Sequence, residues 1–199
     1  PQSGDAFLPG SPVETFSLGF TDGTGTFLSH NENEGQFTGI PMAFDSVETN
    51  ADGTSVVTDG GIAGRMDVSQ SVTLNGDDSF YTTSVTLTNV SGGAMSNVRY
   101  MRNNDPDQDV ESGGSFSTIN DVLLNPNSPG IAAVNAQGQT GGQNIMLLAD
   151  QTTMNVDNGF AQDTIEVRAS AFGFENTNPF ANSAFDNPAD PNGATGDIG

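Results

Sequence analysis

The stretch FYTTSVTLTNV, Phe80 to Val90, decides the fold class. Tyr81, Thr83, Val85, Leu87 and Asn89 occupy one set of alternate positions, and Thr82, Ser84, Thr86 and Thr88 the other. Successive side chains of a strand point to opposite faces, so this pattern puts the apolar residues on one side and hydroxyls on the other. β-branched and aromatic residues fit such a pleated, half-covered surface. The segment therefore reads as a half-buried antiparallel strand. Ser91-Gly92-Gly93 follows as a turn signal, and a second short strand centred on Val98 and Tyr100 forms a hairpin with it or lies beside it.

Working outward, further strands are expected over Val13–Phe20, Gly35–Phe44, Ser55–Thr58, Gly61–Leu74, Gly130–Asn135, Asn144–Ala149 and Thr164–Phe172. No segment carries a sustained apolar stripe of helical period, and the run Phe180 to Phe185 is too short to count. With 25 Gly and 10 Pro, much of the chain must be turn and loop. Short strands separated by turn signals predict an all-β fold, an antiparallel β-sandwich with long calcium-binding loops. At 199 residues the chain fits one domain with a sizeable core, or at most two small ones, and a single domain across 1–199 is expected. Its last part, 175–199, is nearly all turn-forming residues, a loop-rich tail in which Phe180 and Phe185 act as anchors.

Charge narrows the function. Four Lys+Arg stand against 25 Asp+Glu, a formal net charge of −21, and none of the cations is lysine. Such a chain repels a phosphate backbone and an anionic membrane, so nucleic acid and membrane insertion are excluded as modes of action. Disorder is disfavoured because 13 Phe, with Val, Ile, Leu and Met, supply apolar surface for a core. Adaptation to high salt would scatter carboxylates along exposed faces, whereas here they bunch in Gly/Asn/Pro-rich segments. Bunching suits Ca²⁺, which takes six to eight hard oxygens from carboxylates, amides and carbonyls. The absence of cysteine agrees with rigidity drawn from metal.

The densest cluster is RNNDPDQDVE, Arg102 to Glu111, with Asp105, Asp107, Asp109 and Glu111 at every second position after Asn103 and Asn104. Alternate acidic residues direct several oxygens to one side of an extended segment, as a hard cation requires. The offsets of an EF-hand are absent. A solvated acidic turn is the plainer alternative. Arg99 and Arg102 sit just before the run, either to neutralise part of it or to grip an anion. Three other clusters have the same character: Asp45 and Glu48 with Asn50 to Gly53 as one loop, Asn75 to Asp78 as a turn, and Asp186, Asp190, Asn192 and Asp197 in the tail. Together they predict two or three Ca²⁺ sites at least.

Catalysis finds little support. His30, the one histidine, lies in the polar stretch SHNENEG and reads as a surface residue. Neither a cysteine nucleophile nor a GxSxG elbow is present, and the glycine pairs lie outside any βαβ pattern. Asn89-Val90-Ser91 matches a glycosylation sequon and reads as a chance match. A binding protein is expected, and no enzyme.

The stretch SVTLTNVSGGAMSNVRYMRNNDPDQD, preceded by DGGIAGRMDVSQSVTL and followed by GSFSTINDVL, resembles the peptide-binding domains near the distal ends of large calcium-dependent RTX adhesins of Gram-negative bacteria. The likeness runs over most of the chain, with Tyr100 to Asp109 its most specific part. It implies a monomeric extracellular module on the bacterial surface, active in cell adhesion and biofilms. Several Ca²⁺ ions stabilise it, and it captures the free C-terminal end of a cell-surface protein on another organism. Asp105, Asp107 and Asp109 are then expected as metal ligands with Asn103 or Asn104, and Tyr100 and Arg102, with Asp107 and Asp109, as ligand contacts. A calcium-dependent carbohydrate-binding module is a rival, but one expected to carry more exposed aromatics than Tyr81 and Tyr100. A calcium-rigidified spacer domain is another, though such domains have shorter loops.

Overall fold

A computed structural model gives the protein's structure, and it describes residues 14–30, 39–104, 113–114, 118–124, 131–140 and 144–150. Ten strands occur among them: β1 Glu14–Asp22, β2 Gly25–His30, β3 Met42–Asn50, β4 Gly53–Ile62, β5 Met66–Asn75, β6 Thr82–Asn89, β7 Ser96–Asn104, β8 Thr118–Leu124, β9 Ile131–Gly138 and β10 Asn144–Asp150. No helix long and apolar enough to cross a membrane occurs among the described residues. They form three sheets, ordered β2-β1-β7, β3-β4-β5-β6 and β10-β9-β8. The fold is all-β, as the alternation around Val85 predicts.

The chain divides into two compact units, Leu18–Arg99 and Pro1–Ser17 with Tyr100–Gly199. In the first, β3, β4, β5 and β6 are joined by tight antiparallel connections. The β3–β4 turn is held by the Asn50 side chain, whose Oδ1 accepts from the backbone N–H groups of Asp52 and Gly53 at 2.8 and 3.1 Å. Asp45 and Glu48 belong to β3, not to a loop with Asn50 to Gly53 as expected, and a bulge lies between Phe44 and Ser46. Between β4 and β5 the chain turns at Ala63-Gly64-Arg65, with Gly64 at φ 69°. A left-handed residue there closes the short loop, so the strand expected from Gly61 begins only at Met66. At Gly61, φ 135°, a Cβ would run into the Met66 carbonyl oxygen. The Asn75–Asp78 turn forms as expected, the Asn75 amide donating to the Asp78 carboxylate at 2.8 Å.

The Ser91-Gly92-Gly93 turn also forms, and Asn89 brackets it. Its Oδ1 accepts from the Ser91 N–H at 3.0 Å, while its Nδ2 donates to the Gly93 carbonyl at 2.8 Å. The sequon asparagine is thereby engaged in its own turn.

On β5 the inward positions Met66, Val68, Gln70, Val72 and Leu74 lose cover progressively along the strand, from 1% exposed at Met66 to 49% at Leu74. Phe20 and Leu18 of β1 are buried in the same unit. Phe20 stacks on Phe27 of β2 at 5.0 Å, and the Arg65 guanidinium lies 4.7 Å from the Phe20 ring centre. Arg65 also donates from Nε to Asp22 Oδ2 at 2.7 Å, which ties the β4–β5 turn to the β1–β2 turn.

In the second unit β9 lies between β8 and β10. Ala132, Val134 and Ala136 are buried and packed by Val122, Ile145, Leu147 and Ala149. Small side chains on the central strand let its neighbours' larger ones close over it. β2 and β8 were not among the expected strands. The expected strand Thr164–Phe172, the Phe180–Phe185 run and the tail 175–199 lie outside the described residues.

Candidate metal and ligand site

The described part of the expected site is the end of β7. Alternate positions on this strand put Tyr100, Arg102 and Asn104 to one side and Met101 and Asn103 to the other. Burial deepens toward its end, where Asn103 is 3% and Asn104 1% exposed. Both asparagines stand immediately before the acidic run. A solvated acidic turn would keep such amides in water, so their depth is informative.

Asn103 is anchored. Its Nδ2 donates to the hydroxyl of buried Ser17 on β1 at 2.8 Å. The ring of Tyr100 stacks on buried Phe16 at 5.4 Å and 21°. These contacts fix the backbone from which the acidic run departs. Asn104 differs: neither Oδ1 nor Nδ2 has a hydrogen-bond partner. A buried side-chain amide without partners costs about 1–3 kcal/mol, a cost that an ordered water or an ion would relieve. A carbonyl-type amide oxygen is the neutral ligand that Ca²⁺ accepts. The chemistry of Asn104 thus fits a hard cation.

Tyr100 and Arg102 are half-buried, close in sequence to Asn104 and on its side of the strand. Asp105, Asp107, Asp109 and Glu111, and the tail residues Asp186, Asp190 and Asp197, lie outside the described residues. Among the described residues no three His, Asp or Glu side chains come together as a metal-holding group.

Two titratable positions escape a reading of composition. His30, expected at the surface, is fully buried at the end of β2, and its carbonyl accepts from the Ile40 N–H at 2.7 Å. Burial pushes its imidazole pKa below the usual 6.5, so the ring is neutral at pH 7. The polarity of SHNENEG concealed this, since only the carboxyl-terminal end of β2 turns inward. Asp22 is held well below the usual carboxylate range, chiefly by Arg65, then by hydrogen bonds from the Thr24 hydroxyl and N–H at 2.7 and 2.8 Å. It is committed to structure in the β1–β2 turn.

No protein-family model, curated protein or solved structure matches this chain.

Proposed function

We propose that this protein is a calcium-dependent cell-adhesion module that binds the free C-terminal carboxylate end of a partner protein. An antiparallel β-sandwich with long calcium-binding loops belongs to the same reading, as does an extracellular place on a bacterial surface. The observation that carries it is Asn104: a buried, unpartnered amide at the point where β7 enters the acidic run. Without a cation the run repels itself; with one, Asp105, Asp107 and Asp109 and the Asn104 oxygen are neutralised together.

A chain of net charge −21 repels an anionic peptide end at most of its surface. A Ca²⁺ with an open coordination position reverses that sign locally, and the ion so decides where a carboxylate docks. Arg102 would meet an acidic side chain of the terminal residue, with bidentate geometry available to it. The Phe16–Tyr100 stack and the Ser17–Asn103 hydrogen bond keep the platform rigid, which limits the ordering cost of binding. Binding without chemical conversion is the activity proposed.

The test compares acid and amide forms of one peptide with an acidic C-terminus by fluorescence anisotropy, with and without chelator. Binding of the acid form alone, lost on chelation, is expected. Equal affinity for the two forms would rule out carboxylate capture and return a carbohydrate ligand to first place. Calorimetric titration of Asp107→Asn and Asp109→Asn with Ca²⁺ addresses the metal separately. A weakened or missing site is expected, and titration like the parent would make the run a solvated turn.

A further inference from the structure

The four-stranded sheet ends on two unlike edges. β3 carries the bulge between Phe44 and Ser46 and the exposed carboxylates Asp45 and Glu48. Bulges and outward charges are devices that keep an edge strand from pairing with another chain. β6 has neither. It runs from Thr82 to Asn89 in unbroken register with β5, without a charge, proline or glycine, and no other described strand pairs with its far side. In a protein of net charge −21, such an edge is a template for strand addition.

The strand's sequence identifies the occupant. Read in either direction from Val85, β6 repeats its exposed hydroxyls: Ser84 answers Thr86 and Thr82 answers Thr88, while on the other face Thr83 answers Leu87 and Tyr81 answers Asn89. An antiparallel pairing of two copies about Val85 therefore sets hydroxyl against hydroxyl on the exposed face and, from Thr83 to Leu87, apolar or β-branched groups on the other. Carried beyond the strand, the register brings Phe80 of one copy opposite Val90 of the second. These residues are 59% and 41% exposed, and each would gain an apolar neighbour. Asp78 falls opposite Gly92, so no carboxylate in the register meets another.

We infer that β6 is a self-association edge. Two copies join β6 to β6 across a two-fold axis at Val85, making one continuous sheet from two four-stranded ones. The interface is isologous, as a two-fold dimer requires. The inference is independent of calcium and of the peptide ligand, and it departs from the monomeric state that the family resemblance implies. Because both copies are strongly acidic, their repulsion opposes association and salt relieves it.

Sedimentation velocity across a concentration series, at about 0.1 M and about 1 M NaCl, tests the parent protein, since the Debye length falls from ~10 to ~3 Å between them. A monomer–dimer equilibrium that tightens with salt is expected. A monomer at every concentration in both salts overturns the inference, with no variant needed. The register is tested by two double variants at exposed positions whose folding is checked by circular dichroism. S84K/T86K sets like charges opposite each other twice and should raise the dissociation constant about tenfold or more. S84K/T86E sets opposite charges there and should recover the parent value or better. A dimer indifferent to S84K/T86K, or S84K/T86E dissociating as S84K/T86K does, would place the contact elsewhere and overturn the β6 assignment.

Discussion

The sheet β3–β6 and the sheet β8–β10 bury apolar surface to different depths. In the first, the edge strand β6 alternates exposed and half-buried along its whole length, so its inward face is only partly covered. In the second, the central strand β9 buries Ala132, Val134 and Ala136 completely on one face, while on the other only Ala133 is buried and Ile131 and Gln137 are exposed. Both strands keep a period-two signature, and what differs is how deeply the covered face is buried. The difference teaches where each sheet should be sensitive: little at the half-covered edge strand of the first, strongly at the enclosed face of the central strand of the second.

The largest effect expected is that of calcium, which would outweigh the contrast between the sheets. Ligands that bind only the native state stabilise it by about 2.7 kcal/mol each when present at about a hundred times their dissociation constant. Several ions acting through Asp105, Asp107, Asp109 and Asn104 would therefore shift the thermal midpoint by on the order of 10 °C or more. Scans in millimolar Ca²⁺ and in excess EDTA measure it. An unchanged midpoint in calcium-free protein would remove the metal from the proposed function.

Next in size is the contrast itself. Val134→Ala at the centre of β9 removes two buried methyl groups from an enclosed cluster, at about 2–3 kcal/mol. Val85→Ala, on the half-buried face of β6, should cost about 1 kcal/mol or less. Urea denaturation of both variants decides the matter. Equal losses would mean that the two sheets do not differ in the way their burial indicates.

What the sequence conveyed follows the same division. β6 was legible because its alternation matches its burial residue by residue; β7, β9 and β10 were legible as strands, but β7 pairs with β1 and does not form a hairpin with β6 or lie beside it as expected. β8 was not, because its pattern is inverted. Thr118 and Asn120 are buried, the Thr118 hydroxyl donating to Asn120 Oδ1 at 2.7 Å, while Ile119, Leu123 and Leu124 are exposed. Hydrophobicity cannot locate a strand whose inward residues are polar. β2 failed for the same reason, with Ser29 and His30 as its buried members. The bulge near Asp45 moves the phase of β3, so its alternation breaks midway and the strand was placed too early, over Gly35–Phe44. At the site, Asn103 and Asn104 were picked out by proximity to carboxylates. Their burial is a tertiary property that no spacing encodes.

A smaller effect concerns His30 and the depth of the β2 end. A buried histidine with a lowered pKa binds its proton more weakly folded than unfolded. Its contribution is whole above the unfolded value of 6.5 and is lost as the pH falls below that value toward the folded one. Denaturant midpoints from pH 7.5 down to about 5 should therefore decline, and His30→Gln should flatten that slope whatever its absolute stability. The same slope in parent and variant would contradict the neutral, buried imidazole.

The smallest effect sharpens the gradient along β5. Phe44 of β3 pairs in register with Thr58, and Thr58 with Gln70, so Phe44 shares the face on which Met66 and Val68 are covered. It is nevertheless 65% exposed. The area it removes from water is therefore small, and Phe44→Ser should change stability by no more than about 0.5 kcal/mol, because an exposed side chain has little transfer free energy to lose. Met66→Ala on the same face should cost about 2–5 kcal/mol, since its side chain is enclosed. The ratio of the two losses measures how steeply cover falls across one sheet face. A loss above about 1 kcal/mol for Phe44→Ser would show that this end of the face is covered in solution, and the gradient along β5 would then no longer describe the folded protein.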